Sequence, residues 1–261
     1  MPNIFTYPHA KSVVISGDIH GDFELLSFKM CEQYDMRDTL VIVAGDCGCG
    51  FNAEGYYEQI FSRIQKHLTA HNCWIAMVRG NHDDPSYFSE QKIHHERFRT
   101  IPDYSVISIL ERHILCVGGA ISIDRSWRLA EMQRHPNKQY YWKNEPVHYD
   151  KSLMDEISKT GILIDTIVTH TAPSFCELQS KNGLASWATY DPKLLHDCDN
   201  ERRQMDILFQ HLQNDHHPIT HWFYAHFHQS WHGEKDGIIF RMLNIMELYE
   251  SHNQTSYNEL C

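Results

Sequence analysis

The residues that could do chemistry stand at the ends of apolar runs. Gly17-Asp18-Ile19-His20-Gly21-Asp22 follows Val13-Val14-Ile15. An Asp and a His two positions apart on a glycine-flanked turn can aim an oxygen and a nitrogen at one cation, because the glycines let the backbone turn tightly. Four more runs end alike: 39–44 in Gly45-Asp46, 73–78 in Arg79-Gly80-Asn81-His82-Asp83, 162–168 in Thr169-His170, and 219–225 in His226-Phe227-His228. Asp18, His20, Asp46, Asn81, His170, His226 and His228 are therefore the candidate metal ligands. Oxygen and imidazole donors with no necessary thiolate suit manganese, iron or zinc in an open catalytic site rather than a closed tetrahedral one. Seven ligands exceed what one such ion takes from protein, so two ions sharing a carboxylate, about 3.5–4 Å apart, are expected.

These loops need strands behind them and helices to return the chain. The β-branched runs read as buried strands. Residues 23–33 carry Phe23, Leu25, Leu26, Phe28 and Met30 in a helix-like pattern, and 54–68 place Tyr57, Ile60, Phe61, Ile64 and Leu68 at the spacing of an amphipathic helix. The repetition predicts an α/β fold with polar loops gathered at the C-terminal ends of the strands. Further on, 106–110 and 113–118 read as a hairpin, 151–159 and 200–212 as helices, 175–195 as loop, and 237–245 as a closing strand. The stretch 124–150 mixes Arg125, Trp127, Arg128, Tyr141 and Trp142 with little periodicity, and reads as an ordered insertion over the site.

A chain of 261 residues without a linker-like stretch is expected to form a single domain over 1–261. No apolar stretch approaches the roughly 18 residues of a membrane span, and residues 1–9 lack a secretory pattern. A soluble, cytoplasmic protein with no membrane partner is expected. Eight cysteines without paired spacing suit a reducing compartment. Cys47 and Cys49 read as packing, and Arg79 as structural. A net charge of −11, from 23 basic and 34 acidic residues, argues against general nucleic-acid binding.

In order, the blocks GD-x-H, GD, GNHD, T-H-x-x-P and A-H-x-H, from Gly17 to His228, resemble the calcineurin-like metallophosphoesterase superfamily. The resemblance implies a four-layer α/β/β/α sandwich. It implies Asp18, His20 and His228 on one metal, Asn81, His170 and His226 on the other, Asp46 bridging both, and His82 as proton donor. The first and third blocks look similar to the protein serine/threonine phosphatases. Where those have an Asp that orients the catalytic His and an Arg that grips phosphate, however, this chain has Cys49 and Gly50. The stretch Gly118-Gly119-Ala120-Ile121-Ser122-Ile123-Asp124-Arg125, with Arg128 and Tyr141-Trp142 after it, looks more like small bacterial and phage members.

A phosphate ester resists attack because its oxygens repel a nucleophile and its alkoxide leaves poorly. Two divalent ions, manganese first with iron or zinc as alternatives, would neutralise charge and bring a bridging water's pKa near neutrality. His82 would protonate the leaving oxygen, a step worth about 10²–10⁴-fold. With Gly50 unable to grip phosphate, Arg125 or Arg128 is nominated, since a guanidinium fork pairs with two phosphate oxygens. The expected substrate is a phosphomonoester, with a nucleotide or a phosphoprotein among the candidates. The aromatic run at 140–142 would stack a nucleobase or anchor a loop. A phosphodiesterase or nuclease of the same superfamily is the alternative, and a non-catalytic scaffold a further one.

Overall fold

The computed structural model describes residues 2–53, 55–176, 183–251 and 255–256. The chain opens with β1 (Ile4–Thr6), β2 (Ser12–Ser16) and α1 (Phe23–Phe28), which runs on into a π turn (Lys29–Gln33). It continues through β3 (Thr39–Val43), α2 (Tyr56–Ala70), β4 (Trp74–Met77), α3 (Pro85–Ser89), β5 (His94–His95), β6 (Phe98–Thr100), β7 (Ser105–Ile109) and β8 (Arg112–Val117). The second half holds α4 (Arg125–Arg134), α5 (Lys151–Lys159), β9 (Thr166–Thr169), α6 (Leu184–Ala188) and α7 (Leu194–Asn214). It closes with β10 (His221–Tyr224), β11 (Trp231–Lys235), β12 (Ile238–Met242), β13 (Leu248–Glu250) and β14 (Thr255–Ser256).

One sheet has the order β14-β13-β2-β3-β4-β6-β5 and the other β1-β7-β8-β9-β10-β12-β11. The central strands β2, β3, β4 and β6 are parallel, as are β8, β9, β10 and β12 in the second sheet. Parallel strands bring their C-terminal ends to one rim. The loops after β2, β3 and β4 carry Asp18, Asp46 and Asn81, and those after β9 and β10 carry His170 and His226.

Parity along each strand decides which layer a side chain joins. Val14, Val41, Val43, Ile75 and Met77 pack with Phe23, Leu26, Met30, Ile60 and Ile64 of the first helical layer. Their neighbours Val13, Ile15, Leu40, Ile42 and Ala76 pack instead with Ile107, Ile114, Cys116, Val168 and Phe223 of the other sheet. Beyond that sheet, Leu115, Val117, Ile167, Trp222 and Tyr224 meet Met154 and Ile157 of α5 and Met205, Leu208 and Leu212 of α7. Three apolar seams separate four layers, α/β/β/α, as the family resemblance implies. No helix among the described residues is long and apolar enough to cross a membrane.

The differences from expectation have physical causes. The insertion at 124–150 contains a helix, α4, which buries only Arg128 and so shows no apolar period. Helix α7 begins at Leu194, inside the stretch read as loop, because the acidic turn around Asp197 and Asp199 hides its buried Leu194. Residues 177–182 of that expected loop, and Glu54 at the expected start of α2, lie outside the described residues. The π turn after α1 replaces a uniform helix over 23–33.

Arg79 sews the end of β4 to the loops beside it. Its guanidinium donates to Asp103 Oδ2 at 2.8 Å, Glu145 O at 2.5 Å and Gly118 O at 3.2 Å, and the residue is 5% exposed. Arg79→Ala strands the buried carbonyl acceptors while Asp103 is partly rehydrated, so urea unfolding of the metal-free protein should show a loss on the order of 2 kcal/mol. A loss under about 1 kcal/mol would mean the loops hold without it.

Candidate metal centre

Tight backbone geometry brings the rim loops together. His20, Asp46, His226 and His228 all adopt left-handed backbone, with φ of 45°, 48°, 70° and 52°. Such conformations cost non-glycine residues on the order of 1 kcal/mol or more, and they persist where surrounding structure over-determines them. Two glycines let the loops meet: a Cβ on Gly80 would lie 2.1 Å from Asp46 Oδ1, and one on Gly45 would lie 2.1 Å from His170 Nδ1.

Two donor sets result. Donor atoms of Asp18, His20, Asp46 and His228 lie within 4.8 Å of one another, as do those of Asp46, His170 and His226. Asp46 belongs to both. Asn81 joins the second set, its Oδ1 standing 3.0 Å from His170 Nε2. Asp46 Oδ1 is 3.0 Å from the same nitrogen and accepts the His82 backbone N–H at 2.7 Å. His20 Nε2 and His228 Nε2 face each other at 3.3 Å.

The donor set suits a divalent cation. Asp18 Oδ1 accepts the His226 N–H at 3.2 Å, but buried Oδ2 has no hydrogen-bond partner, although His228 Nε2 stands 2.9 Å away out of line. A buried orphan carboxylate oxygen needs a cation or a proton. His170 Nδ1 lies 2.7 Å from Ala44 O, which holds the ring so that Nε2 points at Asp46 and Asn81. This carbonyl contact is the kind that orients a ligating imidazole.

Charge is balanced within the cluster. Burial opposes charge on Asp46, yet the imidazoles of His170, His82 and His20 hold its carboxyl well below the ordinary range. Burial likewise works against the His170 imidazolium, but Asp46 and Asp18 outweigh it and hold the ring up at about 9. His226, half-buried beside His170, is pushed well down by desolvation and by His170. Asp83 is pushed up to about 7 by burial and by Asp46, against three backbone donors.

His82 is not left facing open space. Its Nε2 meets Arg128 Nη2, and Arg128 Nε donates to Asp124 Oδ1 at 2.7 Å. Burial, reinforced by Arg128, lowers the His82 pKa despite Asp46 nearby. Arg125 is not brought to the centre. Its Nε pairs with Asp191 Oδ2 at 2.5 Å and its Nη2 with Asp197 Oδ2 at 2.7 Å, which ties α4 to the start of α7. Trp142 stacks edge-on against Phe51 at 5.0 Å, and Phe51 lies 6.3 Å from the His82 ring.

Three acids sit where sequence reading assigned no role. Asp83 Oδ1 and Oδ2 accept from the backbone N–H groups of Cys49, Cys47 and Gly80 at 2.8, 3.0 and 2.7 Å, and so shape the loop after β3. Glu145, pushed up to about 8 by burial against the pull of Ser122 and Arg128, holds Ser122, which holds Asn81. Glu201 is buried on the wall of a cavity of about 950 Å³ that opens from Asn81, His82, Arg128 and His226 toward Trp187 and Arg203. Only the GNHD block, which includes Asp83, gave a sequence signal for any of the three. A second recess of about 250 Å³ lies on the other side of His82, lined by His20, Phe51, Asn52 and Tyr56.

The family model for calcineurin-like phosphoesterases matches residues 11–230. No curated protein matches this chain. Among solved structures, phosphopantetheinyl hydrolase PptH from Mycobacterium tuberculosis is 14% identical, with 90% of this chain and 89% of that one covered and a TM-score of 0.43. A Staphylococcus aureus protein provisionally described as a 5′-nucleotidase is 11% identical over 92% of this chain and 50% of its own, with a TM-score of 0.44, so this chain spans half its length. A cold-active protein-tyrosine phosphatase from a psychrophilic Shewanella is 13% identical over 98% of this chain and 79% of its own, at a TM-score of 0.38.

Burial pushes Glu201 up to about 7, although Thr171, Arg202 and His170 pull it down. Its Oε2 has no hydrogen-bond partner. As pH rises from the unfolded-chain value of about 4.5 toward 7, the unfolded chain releases this proton and the folded chain keeps it, so stability falls by up to about 1.4 kcal/mol per pH unit. Chelator-treated Glu201→Gln should lack that component, and its urea midpoint should decline less than the wild type's between pH 5 and 7. Parallel declines would show that Glu201 does not hold its proton.

Proposed function

This chain belongs to the calcineurin-like phosphoesterase family, and from that premise we propose a hydrolase of phosphomonoesters that works with two divalent ions. One observation carries the reading: two donor sets share the single carboxylate of Asp46. Asp18, His20 and His228 would complete one position with Asp46, and Asn81, His170 and His226 the other. The orphan Oδ2 of Asp18 and the oriented Nε2 of His170 favour occupancy. Manganese, iron and zinc all fit such donors, manganese best where carboxylate and amide oxygens share the site with imidazole. When bound, the ions would neutralise phosphate charge and make hydroxide available near neutral pH.

The remaining work falls to side chains. Arg128 offers a guanidinium fork to phosphate oxygens, with Asp124 fixing its direction. The phosphate contact rests on Arg128, which lines the cavity beside His82, whereas Arg125 is tied to Asp191 and Asp197. His82 is the proton donor. A dianionic phosphate drawing Arg128 away from Nε2 reverses the local field and lets the imidazole take up a proton from water, which it delivers to the leaving oxygen.

A cavity of about 950 Å³ is the size of small-molecule sites, which favours a compact organic ester such as a nucleotide over a phosphoprotein. A phosphodiester is the second reading. It is supported by the two recesses on either side of His82, one for each substituent. The cytoplasmic reading draws support from the seven described cysteines, all free. The reading of 124–150 as the substrate-facing part of a single domain draws support from Asp124 and Arg128 on the cavity wall.

Metal-free protein should be inactive and recover with two equivalents of manganese, with kcat/KM higher for a monoester than for the matched diester. Recovery with one equivalent, or with none needed, removes the two-ion reading, and a diester preference selects the second reading. His82→Ala should keep its metal and lose about 10²–10⁴-fold in kcat on an alkyl phosphate, but much less on a nitrophenyl phosphate, whose leaving group needs little protonation. Equal losses on both would remove His82 as the acid.

A further inference from the structure

Asn81 presents a problem that a carboxylate ligand would not. Its side-chain oxygen and nitrogen are nearly the same size, and only the oxygen can bind a cation. One orientation gives a ligand, and the opposite one turns two N–H donors toward the ion. His170 cannot select between them once an ion is held, because its Nδ1 proton is committed to Ala44 O and its Nε2 must then offer a lone pair.

The selection comes from behind. Asn81 Nδ2 donates to Ser122 Oγ at 3.0 Å, and Ser122 Oγ donates to Glu145 Oε2 at 2.8 Å. The Ser122 backbone N–H fills the other carboxylate oxygen, Oε1, at 2.7 Å. Glu145 thus accepts both protons that Ser122 has to give, one from the hydroxyl and one from the backbone N–H. The Ser122 hydroxyl proton is then spent on Glu145, and its oxygen can only accept from Asn81. The direction of each bond fixes the next. Asn81, Ser122 and Glu145 are 3%, 1% and 0% exposed, so bulk water competes little for these bonds.

We propose that Ser122 and Glu145 are positioning residues that lock the Asn81 amide with its oxygen toward His170, and thereby set the affinity of the second ion position. This rests on the two-ion reading above. Ser122 lies in the Gly118–Arg125 stretch and Glu145 at the far end of the segment that carries α4, so the segment that faces substrate also controls the metal centre.

Zinc binding to the chelator-stripped protein, followed by calorimetric titration and by metal content after dialysis, tests the lock without any assay of activity. Wild type should bind two ions. Ser122→Ala and Glu145→Gln should each weaken the second ion by about 10- to 100-fold and leave the first unchanged, the range found when groups behind a ligand are removed. Ser122→Thr, which keeps the hydroxyl, should bind as wild type does. The decisive comparison is made in Asn81→Asp, where either oxygen can ligate and orientation no longer matters: there, Ser122→Ala should cause no further loss. Equal weakening by Ser122→Ala in both backgrounds, or none in the wild-type background, overturns the proposal. Thermal unfolding of each metal-free variant identifies one that fails to fold, in which case Ser122→Cys is carried through the same cycle. Should wild type bind a single zinc, the two-ion reading fails, and the same cycle read on that ion still decides whether the lock exists.

Discussion

A buried carboxylate at the meeting of the two sheets governs this structure. Asp46 is 1% exposed, and desolvating its charge would cost several kcal/mol if nothing answered it. Three imidazoles and one backbone N–H answer it, and they come from the loops after β2, β4 and β9. The first sheet supplies Asp46, His20 and His82, and the second supplies His170, so neither sheet satisfies this charge alone. Gly80 and Gly45 answer the same demand. Each stands where a side chain carbon would fall inside the van der Waals surface of Asp46 or His170.

A second acid beneath the first explains the loop after β3. In residues 47–50 the Cys47 thiol donates to Val78 O, and Asp83 fixes the rest from the neighbouring loop by gathering the N–H groups of Cys47, Cys49 and Gly80. Burial holds both thiols well above their ordinary range, with Asp83 adding to the effect. They fill volume below the centre rather than bind or react there. The loop that holds Cys49 and Gly50 is organised by a carboxylate that arrives from outside it.

Much of this was legible in the sequence, and the reason is local. Apolar runs that end in polar turns name both the strand and the loop, so the seven candidate ligands and their sheet positions could be read without any contact map. Helix α4 could not be read, because it buries an arginine instead of an apolar stripe. Arg125 and Arg128 are three positions apart in one helix and alike in composition, so only the contacts of the folded chain separate one that meets His82 from one that meets Asp191. Ser122 and Glu145 are ordinary residues 23 positions apart, and their link to Asn81 exists only in three dimensions.

The contact between His226 and Asp18 closes 208 positions of chain, as does that between His20 and His228. Contacts so distant in sequence form late, because the entropy of closing the loop must be met before they contribute. A chain emerging from the ribosome therefore exposes Asp18, His20, Asp46 and Asn81 as an incomplete cage long before the residues that finish it are made. A chain that stops short of β10 carries β2, β3 and β4 with Asp18, His20, Asp46 and Asn81 but lacks His226 and His228, so the candidate cage is missing the members that close it from the second sheet.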